Sequence, residues 1–132
     1  MNFYLDFEAA RFSNRIISIG CVAGSGETFS TLVKPGDKKK VDKFITELTG
    51  ITNEMLEQGI TKEQAVEFLN NLPTCSPIIL ESYRYFVPFL KALYHSCGST
   101  FNLPYVEMDG LAAIAFSYTR FRNPYDVLPT IK

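Results

Sequence analysis

Polar and apolar positions alternate strictly at the start of the chain. In residues 3–8, FYLDFE, Phe3, Leu5 and Phe7 alternate with Tyr4, Asp6 and Glu8, the period of a half-buried strand. A polar connection at 11–14 leads into RIISIGCVA, 15–23, whose Ile and Val content predicts a central strand. Gly24-Ser25-Gly26 is a turn signal, and ETFSTLVK, 27–34, predicts a third strand stopped by Pro35-Gly36. The pattern then changes to helical spacing. Val41, Phe44, Ile45 and Leu48 fall on one helix face, which Gly50 closes as a C-terminal cap. Thr52 is placed to cap a short helix through Gln58, with Gly59 beyond it. Thr61-Lys62-Glu63-Gln64 fits a capping box, opening a helix to about Asn71 with Ala65, Phe68 and Leu69 inward. PIILE, 77–81, predicts a buried strand, and 84–96 a helix in which Pro88 sits in the first turn or makes a kink. A last strand is expected over 103–109 and a last helix over 110–118. The layout is α/β: a three-stranded antiparallel meander plus two further strands in one mixed sheet, flanked by helices.

The length of 132 residues suits a single domain, and 46% hydrophobic residues suffice for one core. Thirteen basic residues against fourteen acidic ones argue against a polybasic coat for nucleic acid, while leaving room for a local basic groove. No apolar run is long enough to cross a membrane, and the N-terminus lacks the pattern of a secretion signal. Cys21, Cys75 and Cys97 match neither a zinc pattern nor an even disulfide framework, so the expectation is three reduced thiols and a cytoplasmic location.

The acids in the first strand are the candidate chemistry. Two residues apart on a strand, Asp6 and Glu8 share a face, with Cα atoms roughly 6–7 Å apart. Like charges that close repel, and partial burial makes each more costly. A shared Mg²⁺ or Mn²⁺ would remove both penalties. The plain alternative is a solvated strand face whose acids meet Lys or Arg.

LDFEAA, IISIGCVA, FSTLVKP and ELTGITNEML resemble, in order and spacing, the DnaQ-like DEDD 3′–5′ exonucleases with the ribonuclease H-like fold. ELTGIT looks most like the branch containing ERI-type exoribonucleases, and the close match spans residues 3–59. The resemblance implies that Asp6 and Glu8 are the first acidic pair and hold the metal ions. It implies attack by water on the last phosphodiester of a single-stranded RNA or DNA 3′ end. Ala9 and Ala10 would lie beside the terminal nucleotide, and the loop around Gly50 and Ile51 would brush its base or sugar. Arg84, at the start of the second motif's helix, is a further expected substrate contact.

The second and third motifs depart from that pattern. The family places an Asp three residues before a Phe-Leu pair; before Phe89-Leu90 that position is Phe86. Asp126 is the best C-terminal acid and the expected third catalytic carboxylate. Phe121 and Arg122 stand where its partnering His or Tyr would be. Glu81 is a nearby acid that would substitute only with a different geometry. The expectation is a single, C-terminally curtailed exonuclease-like domain that binds or trims 3′ ends with reduced activity and a metal site that is either kept or lost. The alternative is an inactive pseudo-exonuclease serving as a nucleic-acid- or protein-binding module. Tyr83 to Phe86 would then supply a surface for a protein partner or a homodimer, if exposed, or core, if buried. Lys38–Lys40 read as a solvated loop or a phosphate contact, and Tyr118–Tyr125 as a base-stacking segment or a packed tail. His95 reads as an ordinary, partly exposed residue.

Overall fold

A computed structural model describes residues 2–10, 15–36, 40–73, 76–80 and 83–108, the side chains of 83–85 excepted. The elements run β1 (Phe3–Ala10), β2 (Arg15–Ala23), β3 (Thr28–Leu32), α1 (Lys43–Thr49), α2 (Asn53–Leu56), α3 (Lys62–Asn70), β4 (Ile78–Leu80), α4 (Tyr83–Ser96) and β5 (Tyr105–Glu107). They form one five-stranded sheet in the order β3-β2-β1-β4-β5. The meander β1–β2–β3 is antiparallel, and β4 and β5 add parallel to β1. This is the expected mixed sheet, with β1 at its centre. The helix expected over 110–118 lies outside the described residues.

The alternation in β1 decides which face is core. Phe3, Leu5 and Phe7 are buried together with their cross-strand partners Ala23, Cys21 and Ile19. Helices α3 and α4 close over this face through Ala65, Val66, Leu69, Phe86, Val87, Leu90 and Tyr94. Each of the valine, leucine and phenylalanine side chains among them stabilises the fold by about 1.5–3 kcal/mol when fully buried. Tyr94 is almost completely enclosed, yet its hydroxyl donates to Asn70 Oδ1 at 2.8 Å. That burial pushes its phenol up to about 12. Pro88 lies past the first turn of α4, where its missing N–H leaves the Arg84 carbonyl without its helical partner.

A second, smaller core sits on the other face, at one end. Ile17, Val41, Ile45, Ile51 and Leu56 pack there with Ala10 and Leu32. The sequence signals at Gly50, Thr52 and the Thr61–Gln64 box hold, and Asp42 adds a cap that the sequence reading did not name. Asp42 Oδ1 accepts from the Ile45 N–H at 2.9 Å to cap α1. Gly50 takes φ +79° to end that helix, a conformation that favours glycine. Thr52 caps α2, and the Thr61–Gln64 box caps α3. Phe44 and Leu48, expected inward, are 47% and 69% exposed. Helix α1 is only seven residues long, and Val41 and Ile45 already occupy the side that meets the sheet.

Candidate functional site

Asp6 and Glu8 are both exposed and point away from the main core, on the face opposite Phe7. Their cross-strand partners are Gly20 and Ser18. Gly20 carries no side chain to cover Asp6. An open groove of about 320 Å³ runs beside it, lined by Tyr4, Asp6, Gly20, Val22, Thr28 and Ser30. The Phe7 N–H donates to Asp6 Oδ1 at 3.0 Å, which fixes one carboxylate oxygen. Among the described residues no cation pairs with either acid; the one ion pair there is Lys43–Glu47 on α1. The alternative of acids neutralised by Lys or Arg finds no support at this strand.

Burial first, and the Asp6 charge second, push the Glu8 carboxyl above its ordinary 4.5. These are the two costs a shared divalent cation relieves, so the pair fits such an ion. A carboxyl with a raised folded-state pKa holds its proton more tightly folded than unfolded. Its favourable contribution is complete below the unfolded value and is lost as the pH climbs through the folded one. At neutral pH the ionised Glu8 therefore opposes folding. Glu8→Gln is expected to raise the melting temperature at pH 7 in chelator, by on the order of 1–2 °C for so exposed a group. Melting curves should show the gain vanish below pH 4.5, the ordinary value.

The remaining expected residues divide. Ala10, two residues beyond Glu8, packs against the second core to which Ile51 belongs, so the end of β1 and the loop after α1 share one cluster. Gly50 is exposed on that loop. The Ile51 side chain is 6% exposed and packs in the second core, so any contact this loop makes at Ile51 would be through its backbone. Phe86 also differs from an exposed partner surface. It is 7% exposed and packs edge-on against Phe7 with ring centroids 5.3 Å apart, so the surface proposed over Tyr83–Phe86 loses its last member to the core. Glu81 and Asp126, like the side chain of Arg84, lie outside what the structure describes. His95 is exposed near the end of α4. Among the described residues no three His, Cys, Asp or Glu side chains gather at one point.

Sequence reasoning gave Arg15 no role. It begins β2 directly across from Ala10, and its Nη1 is buried without a hydrogen-bond partner. The signal was present as a cation at a strand start, but unbroken strand alternation would turn it to the core face, and the bulge that turns it out does not show in the sequence.

A family model for exonucleases of the RNase_T type matches residues 3–100. Among curated proteins, the chain is 32% identical over 84 residues to a PolC-type DNA polymerase III of Mycoplasmopsis pulmonis, covering 64% of this chain. It is 39% identical over 57 residues, 42% of this chain, to the PolC-type DNA polymerase III of Mycoplasma genitalium. It spans only 6% and 4% of those two proteins. Among solved structures, it superposes on the nuclease domain of 3′hExo, a DEDDh family member bound to rAMP. The TM-score is 0.63 at 21% identity, over 76% of this chain and 61% of the other. The complex of E. coli ExoI with ssDNA matches with a TM-score of 0.70 at 14% identity, over 89% of this chain and 29% of the other. At these identities the likeness shows the fold, a ribonuclease H-like sheet with flanking helices.

Proposed function

The chain belongs to the RNase_T exonuclease family, and from that premise we propose that it engages single-stranded nucleic-acid 3′ ends at the open end of β1, with reduced hydrolytic activity. The observation that carries this reading is the acidic pair itself. Asp6 and Glu8 are both exposed on one face, with no cation paired to them among the described residues, and Ala10, two residues on, packs against the cluster that holds Ile51. Exonucleases of this class generally use divalent metal ions. Asp6 and Glu8 are the residues that would hold Mg²⁺ or Mn²⁺ here. A bound ion of this kind activates water and stabilises the leaving oxygen of a phosphodiester. The chain's own residues supply position. The Phe7 N–H holds Asp6, while Ala9, Ala10 and the exposed Gly50 form the ledge for the last nucleotide.

Reduced activity is supported by Phe86. The residue standing for the family's second-motif acid is a buried ring packed on the opposite side of β1. Groups of a catalytic cluster act as a unit, so the loss of one removes most of the rate. The same observation favours the second reading, an inactive member that retains binding.

The test is incubation with a 5′-labelled single-stranded oligonucleotide and Mn²⁺, alongside Asp6→Ala. The proposal expects a slow ladder shortening from the 3′ end, reduced by roughly a thousandfold or more in the variant. Binding without any ladder, unaffected by chelator, would select the inactive reading. Neither binding nor cleavage would remove both.

A further inference from the structure

The register of β1 against β2 slips between Glu8 and Ala9. Glu8 pairs with Ser18, but Ala9 pairs with Ile16 and Ala10 with Arg15, so Ile17 is an extra residue. Without it, alternation from Ser18 would send Arg15 to the α3–α4 side of the sheet. The bulge reverses this. Ile16 joins the main core, Ile17 joins the second core, and Arg15 comes out beside Ala10 on the face of Asp6 and Glu8. Bulges that re-aim one side chain in this way gather next to active sites.

Arg15 is also incompletely satisfied. Its Nη1 is buried with no hydrogen-bond partner, and among the described residues no carboxylate pairs with it. A guanidinium cannot shed its charge, so leaving this donor buried and unpaired costs the folded state, a cost that a turn of the side chain towards a phosphate would relieve. It stands two strand positions beyond Glu8 and one strand across, about 6–7 Å along the strand direction. A polyanion drawn across two carboxylates needs a cation close by, and a guanidinium matches the oxygens of a phosphodiester in a two-point grip.

We propose that Arg15, turned to the acidic face by the Ile17 bulge, grips a backbone phosphate of the bound single strand. This rests on the reading of the site as a nucleic-acid 3′-end site and adds the residue that holds the phosphate there. Arg15 contacts substrate in this account and takes no part in proton transfer.

Fluorescence anisotropy with a 5′-labelled single-stranded oligonucleotide tests it, in chelator so that no cleavage intervenes. Arg15→Met keeps the apolar stem and removes the charged fork; Arg15→Lys keeps the charge alone. Arg15→Met should bind roughly tenfold more weakly, the scale of one charge-assisted hydrogen bond. Between about 50 and 200 mM salt, its slope of log affinity against log salt should be shallower by about 0.7, the share of one phosphate contact on a single strand. Arg15→Lys should recover the slope but only part of the affinity. Arg15→Met should melt no lower than the parent chain, because it removes an unsatisfied buried donor. A merely structural arginine would give the reverse, a lower melting temperature with unchanged binding, and that result overturns the proposal. So does an Arg15→Met chain that fails to fold. If the parent chain binds and Arg15→Met matches it in affinity and slope, this inference falls alone. If the parent chain does not bind, the reading of the site falls with it.

Discussion

Replacing Phe86 with aspartate, the residue type that the family pattern calls for, is expected to unfold the chain without arming it. Phe86 is 7% exposed, inside the main core with Val87 and Leu90 of the same helix. Its ring meets Phe7 edge-on at 5.3 Å and lies 6.5 Å from the ring of Phe89. Removing a buried phenylalanine costs about 3–5 kcal/mol through lost transfer energy and the cavity left behind. Setting a carboxylate there adds a penalty, because nothing in that apolar cluster would accept its proton or pair its charge. A domain of this size has roughly 5–15 kcal/mol of stability in total, so Phe86→Asp should lose most or all of it. Chemical denaturation read by circular dichroism would measure the loss. The oligonucleotide assay with Mn²⁺ should show no gain, since Phe7 and the acids leave β1 on opposite faces. A Phe86→Asp chain of unchanged stability with new 3′-end trimming would mean that α4 presents this position to the acids, contrary to the structure.

That residue also shows how far the sequence could be read. Its identity was legible; its direction was not. Alternation in β1 gave the faces of all six residues from Phe3 to Glu8, because a half-buried strand has no other way to satisfy its period. The caps at Thr52 and Thr61 place two helix starts, and Gly50 the end of α1, since they satisfy backbone groups within a few residues. Features needing distant partners were harder to see. Phe44 and Leu48 have the spacing of a buried face but are exposed, because what covers a helix face depends on the sheet beneath it. Ile51 sits in a segment that reads as a loop, yet it fills the second core with Ala10 and Ile17. Arg15 was hidden by the bulge at Ile17. Two consecutive isoleucines can continue an apolar strand or mark a slip, and the pairing with β1 decides between them. The acidic pair was readable as chemistry, while the residues that surround it are assembled by tertiary contacts.

Gly59→Ala is expected to loosen the acidic end of the sheet from its β3 edge. A Cβ at this position would stand 2.6 Å from the Leu32 carbonyl oxygen and 2.8 Å from its carbon, both backbone atoms that cannot rotate aside. Gly50 needs glycine for its positive φ; Gly59 needs it for this close approach. The approach has a purpose in the fold. The Ile60 N–H donates to the Leu32 carbonyl at 2.8 Å, and the Lys34 N–H donates to the Ile60 carbonyl at 2.8 Å. Together with the parallel bridge Val33–Ile60, these bonds tie the segment after α2 to the end of β3. Leu32 is in turn the cross-strand partner of Ser18, which faces Glu8, and it packs on the second core. A methyl group inserted here must push that tie open, at about 1–3 kcal/mol for overpacking and more if the hydrogen bonds break. The melting temperature should fall by on the order of 5–10 °C. Because α2 and the loop carrying Gly50 share the second core, oligonucleotide affinity should fall as well, although Gly59 itself contacts no substrate in the proposed site. Amide exchange would locate the effect: Ile60 and Lys34 should lose protection while Leu90 and Tyr94, in the opposite core, keep theirs. Uniform loss across both cores would show that the two faces unfold as one unit and that the tie has no local role.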